Sequence, residues 1–215
     1  MLYENTTETR QAIIDACLRM NAEGINQGTS GNISVRTGEQ MLITPSGIPY
    51  DQLTPKDIVR VRLDDGYVRG LHKPSSEWRF HRDLLVARPD MQAVVHAHPV
   101  HCTALAMLRE PIPACHYMVG LFGGSDVPIA GYARYGSGAL SEEVVTALVD
   151  RHGCLMANHG ATVLGEDLGK ALWRLGELEM LAQSYLAARA VGDVVLLSDQ
   201  EMVEAIAAFK DYGPK

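Results

Sequence analysis

The sequence predicts an α/β fold in which helices flank a central, mostly antiparallel sheet. Apolar stripes at helical spacing alternate along the chain with short runs rich in β-branched residues. Several of these runs are joined by tight turns containing glycine, which connect antiparallel neighbours. The 215 residues contain no internal repeat, low-complexity segment or linker. We therefore expect a single domain over residues 1–215.

The first half of the chain is predicted to begin with a helix and continue as strands. A helix over 7–23 carries one apolar stripe and ends before Gly24. Strands follow at 33–36, 41–44 and 58–63, and a turn at 65–66 leads into another at 67–68. Residues 74–76 are predicted to open a helix to about residue 88, and the free N–H groups of its first turn would favour an anion.

The second half alternates strands and helices. Strands are predicted at 93–98, 127–130, 154–158 and 162–164, with a turn at Gly160 between the last two. Helices are predicted at 100–108, from a cap at Ser141 to about 150, from a cap at Asp167 to about 190, and over 199–210. The apolar face of the helix over 167–190 is wider than the surface helix of a monomer needs, which suits either a core or an oligomer interface.

Composition excludes several classes of function. Apolar residues make up 47% of the chain and charged residues 21%, as in ordinary soluble proteins. The formal net charge of -7, without a basic cluster, argues against nucleic acid as a partner. No apolar stretch approaches the roughly 20 residues of a membrane span, and no signal peptide is visible. Four cysteines without a C-x-x-C pair indicate buried free thiols and a cytoplasmic protein.

Three histidines stand at the ends of apolar runs. His96 and His98 close one run, and alternation along a strand turns both imidazoles to the same face. His159 closes a second such run. Zinc binds imidazole and carboxylate ligands, so the pattern favours a metal site, although each histidine taken singly suits an ordinary hydrogen-bonded role. The remaining histidines, with His101 as a candidate neighbour of the site, are interpreted as ordinary residues: His72, His81, His101, His116 and His152.

Three short segments are each rich in glycine, hydroxyl or amide groups and contain no arginine or lysine. They lie at 28–32, 44–47 and 74–76. Glycine allows backbone N–H groups to converge on an anion, and hydroxyl groups add donors. Each segment alone is also explained as a turn or a cap. Because Glu77 follows Ser76 directly, an anion bound there would lie beside a metal ligand, at a spacing that suits a small sugar phosphate.

Four motifs in the same order resemble the class II aldolase/adducin-head family, whose type member is L-fuculose-1-phosphate aldolase. They are NQGTSGNISVR at 26–36, MLITPSGIPY at 41–50, PSSEWRFH at 74–81 and VVHAH at 94–98. IPACHYM at 112–118, NHG at 158–160 and KALW at 170–173 also fit. The resemblance covers essentially the whole chain.

The resemblance implies a ligand set, a phosphate site and two tyrosines. One zinc ion per subunit would be held by Glu77, His96, His98 and His159. Phosphate would be held by Thr29, Gly31, Asn32, Ser46, Gly47, Ser75 and Ser76. Tyr117 would be the proton donor and Tyr212 would close the site, both reaching a neighbouring subunit of a homotetramer whose active sites lie at the subunit interfaces.

The implied reaction is the reversible cleavage of a ketose 1-phosphate to dihydroxyacetone phosphate and a small aldehyde. Zinc would polarise the carbonyl, and Glu77 would act as the base. Substrates in the family include fuculose 1-phosphate, 5-deoxyribulose 1-phosphate and 5-methylthioribulose 1-phosphate. Tyr135 and residues 118–122 depart from the type enzyme near the aldehyde, so the resemblance does not choose among these sugars.

Three other functions fit the same fold. A 4-epimerase acting on ribulose 5-phosphate shares the bond-breaking step, but position 77 is typically aspartate in that branch. Methylthioribulose-1-phosphate dehydratase keeps a similar metal site, and Tyr117 and Tyr212 weigh against it. A non-catalytic interaction module like the adducin head would have lost metal-binding histidines, and all of them are present here.

Overall fold

The computed structural model describes residues 3–209, in which eight strands form one sheet. The strands are β1 (Asn32–Thr37), β2 (Gln40–Ile43), β3 (Val59–Arg62), β4 (Val68–Arg69), β5 (Ala93–Ala97), β6 (Ile129–Ala130), β7 (Gly153–Met156) and β8 (Gly160–Gly165). Their order across the sheet is β4-β3-β2-β1-β5-β8-β7-β6. Only β6 and β7 pair in parallel among these described strands. The predicted fold class is confirmed, while a single domain over residues 1–215 stays a prediction.

Helices cover both faces of the sheet. They are α1 (Thr7–Ala22), α2 (Trp78–Ala87), α3 (Val100–Leu108), α4 (Gly138–Ala147), α5 (Leu168–Val191) and α6 (Asp199–Ala208), with short 3-10 helices at Tyr50–Gln52 and Tyr117–Phe122. The helices α1, α3 and α5 share one apolar core with the odd-numbered residues of β1 and β5. The helices α2 and α4 pack on the opposite face, over a second core.

Alternation along the strands explains the two cores. Ile33, Val35 and Val95 point to the α5 side, and Val94 points to the α2 side. The long helix α5 buries Leu175, Leu178 and Leu181 in the first core. That core therefore accounts for most of the wide apolar face that the sequence displays on this helix.

Two predicted helix starts are wrong. The helix after Pro74 begins at Trp78 with Glu77 as its N-cap, and not at Ser75-Ser76. Its start is displaced because Pro74 pairs with Pro45 and the Ser75 N–H donates to the Thr44 carbonyl, which holds residues 74–75 beside the loop after β2.

The second wrong start concerns α4. The side chain of Ser137 caps this helix, whereas Ser141 lies one turn inside it. Ser141 is buried and donates a hydrogen bond to Asp83 of α2. A serine at this position therefore joins two helices and does not begin one.

Antiparallel pairing brings distant segments to one end of the sheet. The register places Asn32, at the start of β1, opposite His96, near the end of β5. It places Ala161, near the start of β8, opposite Ala97. The loop after β2 reaches the same end, since the Thr44 N–H donates to the carbonyl of Ile33. The sequence motifs occupy these segments, so topology alone assembles them.

Three of the four cysteines are buried free thiols, as the sequence predicts. Cys17, Cys102 and Cys154 are buried free thiols, and Cys115 is half-buried. Burial raises the pKa of Cys154 to about 12 and holds the pKa of Cys102 well above its ordinary value. Across residues 3–209, no helix has the length and apolar character required to cross a membrane.

Candidate active site

A cleft of about 480 Å³ opens at the end of the sheet where these segments meet. Its lining includes Thr29, Ser30, Gly31, Asn32, Pro45, Ser46, Gly47, Ser75, Ser76, Glu77, His98, Tyr132, Ala133, Tyr135, Asn158 and His159. The structure therefore brings together every residue of the predicted phosphate set with Glu77 and two of the three predicted metal-binding histidines. The third histidine, His96, lies buried directly behind them.

The three histidines form a compact cluster. Their ring centroids lie 4.8–5.0 Å apart, and each pair of rings is tilted edge to face. One ligand nitrogen from each ring lies within 4.8 Å of the others. His98 stands just beyond the end of β5, yet its Nε2 lies 3.1 Å from Nε2 of His96, as expected from the H-x-H spacing.

Hydrogen bonds fix which nitrogen of His96 faces the cluster. Nδ1 lies 2.9 Å from the carbonyl oxygen of Ala161, which only accepts, so Nδ1 carries the proton. In the neutral ring, the lone pair of Nε2 then points towards His98 and Glu77. Burial lowers the pKa of His96 well below its ordinary value, and nearby His159 and His98 lower it further. The neutral form is the one that binds a metal.

Glu77 completes the cluster from the start of α2. Its side chain is buried, with Oε2 at 3.2 Å from Nε2 of His96 and Oε1 at 3.3 Å from Nε2 of His159. Oε2 accepts a hydrogen bond of 3.0 Å from the amide of Asn32. Oε1 has no hydrogen-bond partner among residues 3–209. A buried carboxylate oxygen without a donor is costly unless a cation meets it.

These groups fit a divalent metal. A tetrahedral zinc ion with bonds of about 2.0–2.1 Å holds its ligand atoms about 3.3 Å apart. The separations of 3.1 Å between His96 and His98 and 3.2 Å between His96 and Glu77 match that value. The bare Nε2 of His96 and Oε2 of Glu77 are both acceptors and repel each other at this range, and a cation between them removes the repulsion.

Burial also keeps the other two histidines neutral. It lowers the pKa of both His98 and His159, and the charge of Glu77 opposes this shift in each ring. All three imidazoles therefore offer lone pairs near neutral pH without first losing a proton. Their chemistry suits zinc or a similar borderline ion better than calcium or magnesium, which prefer oxygen ligands.

The opposite side of the cleft is built from backbone and hydroxyl groups. A Cβ atom at Gly31 would lie 2.8 Å from the carbonyl oxygen of His96, so only glycine allows this close approach. The Tyr50 hydroxyl donates to the Gly31 carbonyl at 2.5 Å and holds the backbone just before β1 in place. Among the described residues, the lining contains no lysine or arginine. An anion here would meet N–H and O–H donors and the N-terminus of α2.

The turn that carries His159 differs from its prediction. It lies at 157–159, and Gly160 is already the first residue of β8. Gly160 is needed for a different reason, since a Cβ atom there would lie 2.7 Å from Cδ2 of His98. Asn158 takes the left-handed conformation with φ of 54°. Its N–H donates to the Ala106 carbonyl, which anchors the turn to α3.

Arg109, which contacts two residues of the cleft lining, has no counterpart in the predictions. Arg109 ends α3 with φ of 56°, and its Nε donates to Oδ1 of Asn158 at 2.7 Å. Its guanidinium also lies over the ring of Tyr132, 5.9 Å from the centroid. Two left-handed residues thus support each other beside His159. Nothing in the sequence marks this pair, because the residues are 49 positions apart.

Of the two predicted tyrosines, the structure describes Tyr117, which does not line the cleft. Tyr117 begins a 3-10 helix, is 51% exposed, and stacks on Phe209 with ring centroids 6.1 Å apart. It does not line the cleft formed by residues 3–209 of the same chain. Tyr212 lies outside the described residues.

His81, interpreted from the sequence as an ordinary residue, lies next to the site. His81 is fully buried on α2, with Nε2 2.5 Å from Oδ1 of Asn32, the residue that bonds Glu77. The spacing of four positions after Glu77, at the start of a helix, is a signal that sequence analysis could have used. The candidate neighbour His101 instead pairs with Glu179 of α5 at 2.7 Å.

Most of the chain matches a known protein family. Residues 11–186 match the family described as the class II aldolase and adducin N-terminal domain. The chain belongs to this family. An L-fuculose phosphate aldolase of Escherichia coli O6:H1 is 50% identical over 202 residues, which cover 94% of each chain. A 5-methylthioribulose-1-phosphate/5-deoxyribulose-1-phosphate aldolase of Rhodospirillum rubrum is 44% identical over 204 residues, 95% of this chain and 92% of that one.

A solved structure extends the likeness to three dimensions. An L-fuculose 1-phosphate aldolase superposes with a TM-score of 0.92 at 36% identity, covering 95% of this chain and 97% of that chain. At this level of agreement, membership of the family rests on sequence and fold together.

Proposed function

We propose that the protein is a zinc-dependent aldolase that reversibly cleaves a ketose 1-phosphate to dihydroxyacetone phosphate and a small aldehyde. The observation that carries the proposal is the arrangement around Glu77. A buried carboxylate oxygen without a hydrogen-bond donor faces an imidazole cluster, in a cleft rich in N–H and O–H donors. Similarity to aldolases named for fuculose and 5-deoxyribulose phosphates supports the same reaction class.

In this proposal one end of the cleft binds the phosphate. Thr29, Gly31, Asn32, Ser46, Gly47, Ser75 and Ser76 supply the donors. The donors are mostly neutral, so the phosphate charge is met by oriented dipoles, and the N-terminus of α2 points in the favourable direction. Ser75 contributes its hydroxyl, because its own N–H is already paired with Thr44.

The proposed metal site lies at the other end of the cleft from the phosphate. Glu77, His96, His98 and His159 would hold one zinc ion per subunit. When bound, zinc polarises the carbonyl of the ketose and offsets the negative charge that develops as the C3–C4 bond breaks. The side chain of Asn32 contributes to both sites, since it borders the proposed phosphate site and bonds Glu77.

Glu77 also acts as the proton acceptor and donor at C3 of dihydroxyacetone phosphate. Its unpaired Oε1 is free to exchange a proton once the substrate binds, while Oε2 stays bonded to Asn32. Tyr117 protonates the aldehyde oxygen and Tyr212 closes the site, both from a neighbouring subunit of a homotetramer. The cytoplasm, a reducing compartment, suits the buried free thiols and belongs to the same proposal.

A coupled assay for dihydroxyacetone phosphate tests the proposal. Fuculose 1-phosphate, 5-deoxyribulose 1-phosphate and 5-methylthioribulose 1-phosphate are supplied in parallel, with zinc-loaded and metal-stripped protein. We expect release of dihydroxyacetone phosphate from at least one sugar, dependent on metal. Release from none of them would overturn the proposal. Conversion of ribulose 5-phosphate to xylulose 5-phosphate would identify the epimerase instead, and loss of water from methylthioribulose 1-phosphate would identify the dehydratase.

A further inference from the structure

A buried chain of hydrogen bonds runs beneath the cleft and ends at Glu77. Oγ of Ser34 lies 2.8 Å from Nδ1 of His81, and Nε2 of His81 lies 2.5 Å from Oδ1 of Asn32. Nδ2 of Asn32 then donates to Oε2 of Glu77 at 3.0 Å. All four residues are buried. A chain of this length away from water is costly unless every donor meets an acceptor.

The direction of each hydrogen bond is fixed by chemistry. A carboxylate oxygen only accepts, so the amide nitrogen of Asn32 must face Glu77 and its oxygen must face His81. That oxygen also only accepts, so Nε2 of His81 carries a proton. In a neutral imidazole Nδ1 is then bare, and it accepts from the hydroxyl of Ser34. The buried ring is neutral because desolvation holds its pKa well below the ordinary value.

We infer that His81 is a positioning residue that fixes the orientation of the Asn32 amide and, through it, the carboxylate of Glu77. The inference rests on the proposed function in that Glu77 is taken as metal ligand and base. With Oε2 held by Asn32, the second oxygen of Glu77 faces His159 at 3.3 Å. Rotation of the Asn32 amide by 180° would set two acceptors against each other at Glu77 and two donors against each other at His81, so His81 leaves it one orientation.

The packing around His81 supports this role. The ring of Phe80 stacks on that of His81 with centroids 4.7 Å apart and meets His96 edge to face at 5.6 Å. Phe80 therefore separates His81 from the histidine cluster, and the polar path between them runs through Asn32 and Glu77. Asn32 and Ser34 lie two residues apart on β1 and face the same helix, which presents both of them to one imidazole.

The tautomer of His81 is measurable without metal or substrate. Wild-type protein labelled with ¹⁵N in its histidines is stripped of metal at pH 7.5, and long-range proton–nitrogen correlation assigns the protonated nitrogen of each ring. We expect His81 to carry its proton on Nε2. A proton on Nδ1, or on both nitrogens, would contradict the assigned direction of the chain and overturn the inference.

Substitution then tests the consequence for Glu77. His81→Phe keeps a ring in place and removes the donor to Asn32, whereas His81→Gln supplies an amide donor. Ser141→Ala is the matched control, because it also deletes a buried hydrogen bond to α2 but outside the cleft. Zinc affinity is measured by competition with a chromophoric chelator, alongside thermal unfolding, kcat and KM.

We expect His81→Phe to weaken zinc binding and to lower kcat by about 10–100-fold each, with part of both losses regained in His81→Gln. Ser141→Ala should lose thermal stability while its zinc affinity stays within about twofold of wild type. Unchanged zinc affinity in folded His81→Phe would refute the positioning role. If His81→Phe does not fold, the tautomer of the wild-type ring decides. A wild-type protein without aldolase activity would defeat the proposed function alone, since tautomer and zinc affinity are measured without turnover.

Discussion

Asn32 and His96 lie directly opposite each other where β1 pairs with β5, and both side chains reach the same oxygen of Glu77. Nδ2 of Asn32 lies 3.0 Å from Oε2, and Nε2 of His96 lies 3.2 Å from it. One cross-strand pair thus links the proposed phosphate site to the histidine cluster.

Metal content depends on the histidine cluster. We expect purified protein to contain about one divalent metal per subunit, most of it zinc. His96→Ala should lose this metal, because it removes the most deeply buried imidazole of the cluster. His101→Ala is the matched control, since His101 pairs with Glu179 away from the cluster. Elemental analysis after gel filtration measures both variants. Stoichiometric zinc in His96→Ala would show that the ion binds elsewhere.

Glu77 is expected to have two separable roles. Glu77→Gln keeps an oxygen for the metal but cannot accept a proton. We therefore expect zinc to be largely retained, while the rate of cleavage falls by at least the roughly 10²–10⁴-fold typical of general acid–base loss. Zinc content and kcat are measured on one preparation. Near-normal turnover in this variant would assign the base to another group.

The sequence predicts this site better than it predicts how the site is supported. The candidate metal and phosphate residues stand in motifs whose residue types already suggest their chemistry, and antiparallel hairpins bring those motifs to one end of the sheet. Boundaries depend on contacts that are distant in sequence. The start of α2 is set by a hydrogen bond between Ser75 and Thr44, 31 positions away, which no local pattern displays.

The close approach of Gly160 to His98 predicts the effect of adding one methyl group. A Cβ atom there would lie 2.5 Å from the Ala97 carbonyl oxygen and 2.7 Å from the His98 ring. Gly160→Ala should cost about 1–3 kcal/mol of unfolding free energy and weaken zinc binding, because His98 must move. The control is Gly138→Ala, because no atom lies within 4 Å of the added carbon there. It should change the unfolding free energy and the zinc affinity little. Urea unfolding and zinc competition are measured for both variants. Equal effects in the two variants would exclude a contact with His98.

The burial of His81 predicts a pH dependence of stability in the metal-free protein. A histidine in the unfolded chain has a pKa of about 6.5, and burial holds the pKa of folded His81 well below this. The unfolded chain therefore binds one more proton as pH falls through about 6.5. This contribution to stability is complete above that pH and declines by up to about 1.4 kcal/mol per unit below it, until the folded ring protonates.

Comparison of two variants isolates this proton. Between pH 6.5 and 5.5, wild type should lose about 1 kcal/mol more unfolding free energy than His81→Gln, which cannot titrate there. Gly138→Ala, which changes no titrating group, should keep the wild-type slope. Urea unfolding in the presence of a chelator gives the three slopes. If His81→Gln and wild type decline in parallel, His81 protonates in the folded state.

His81 also illustrates why part of the site escapes sequence analysis. The segment Asn32–Thr37 alternates polar and apolar residues, which usually indicates one solvated face. Here Ser34 is fully buried, because α2 covers that face and His81 supplies a polar partner. The pattern predicts the strand correctly, and only the packing of the helix reveals that its polar face belongs to the site.

Tyr117 is expected to act on a neighbouring subunit, because it does not line the cleft formed by residues 3–209 of its own chain. Tyr117→Phe should slow cleavage, because the C4 hydroxyl must give up its proton as it becomes the aldehyde oxygen and loses the group that exchanges this proton. Proton exchange at dihydroxyacetone phosphate should suffer less, because that half-reaction needs only the metal and Glu77. A coupled assay and isotope exchange in heavy water measure both rates. Equal losses would assign Tyr117 to the proton exchange step or to folding.

Mixed oligomers distinguish an active site shared between two subunits from an active site formed within one chain. Tyr117→Phe and Glu77→Gln chains are each nearly inactive for cleavage in this scheme. If Tyr117 serves the neighbour, a Tyr117→Phe chain beside a Glu77→Gln chain forms one intact site, so refolding an equal mixture should restore about a quarter of wild-type activity. The control mixes the two variants after each has assembled alone, where no activity should return. No recovery in the refolded mixture would mean that Tyr117 and Glu77 act within one chain, and Tyr117 would then have to move towards the cleft when substrate binds.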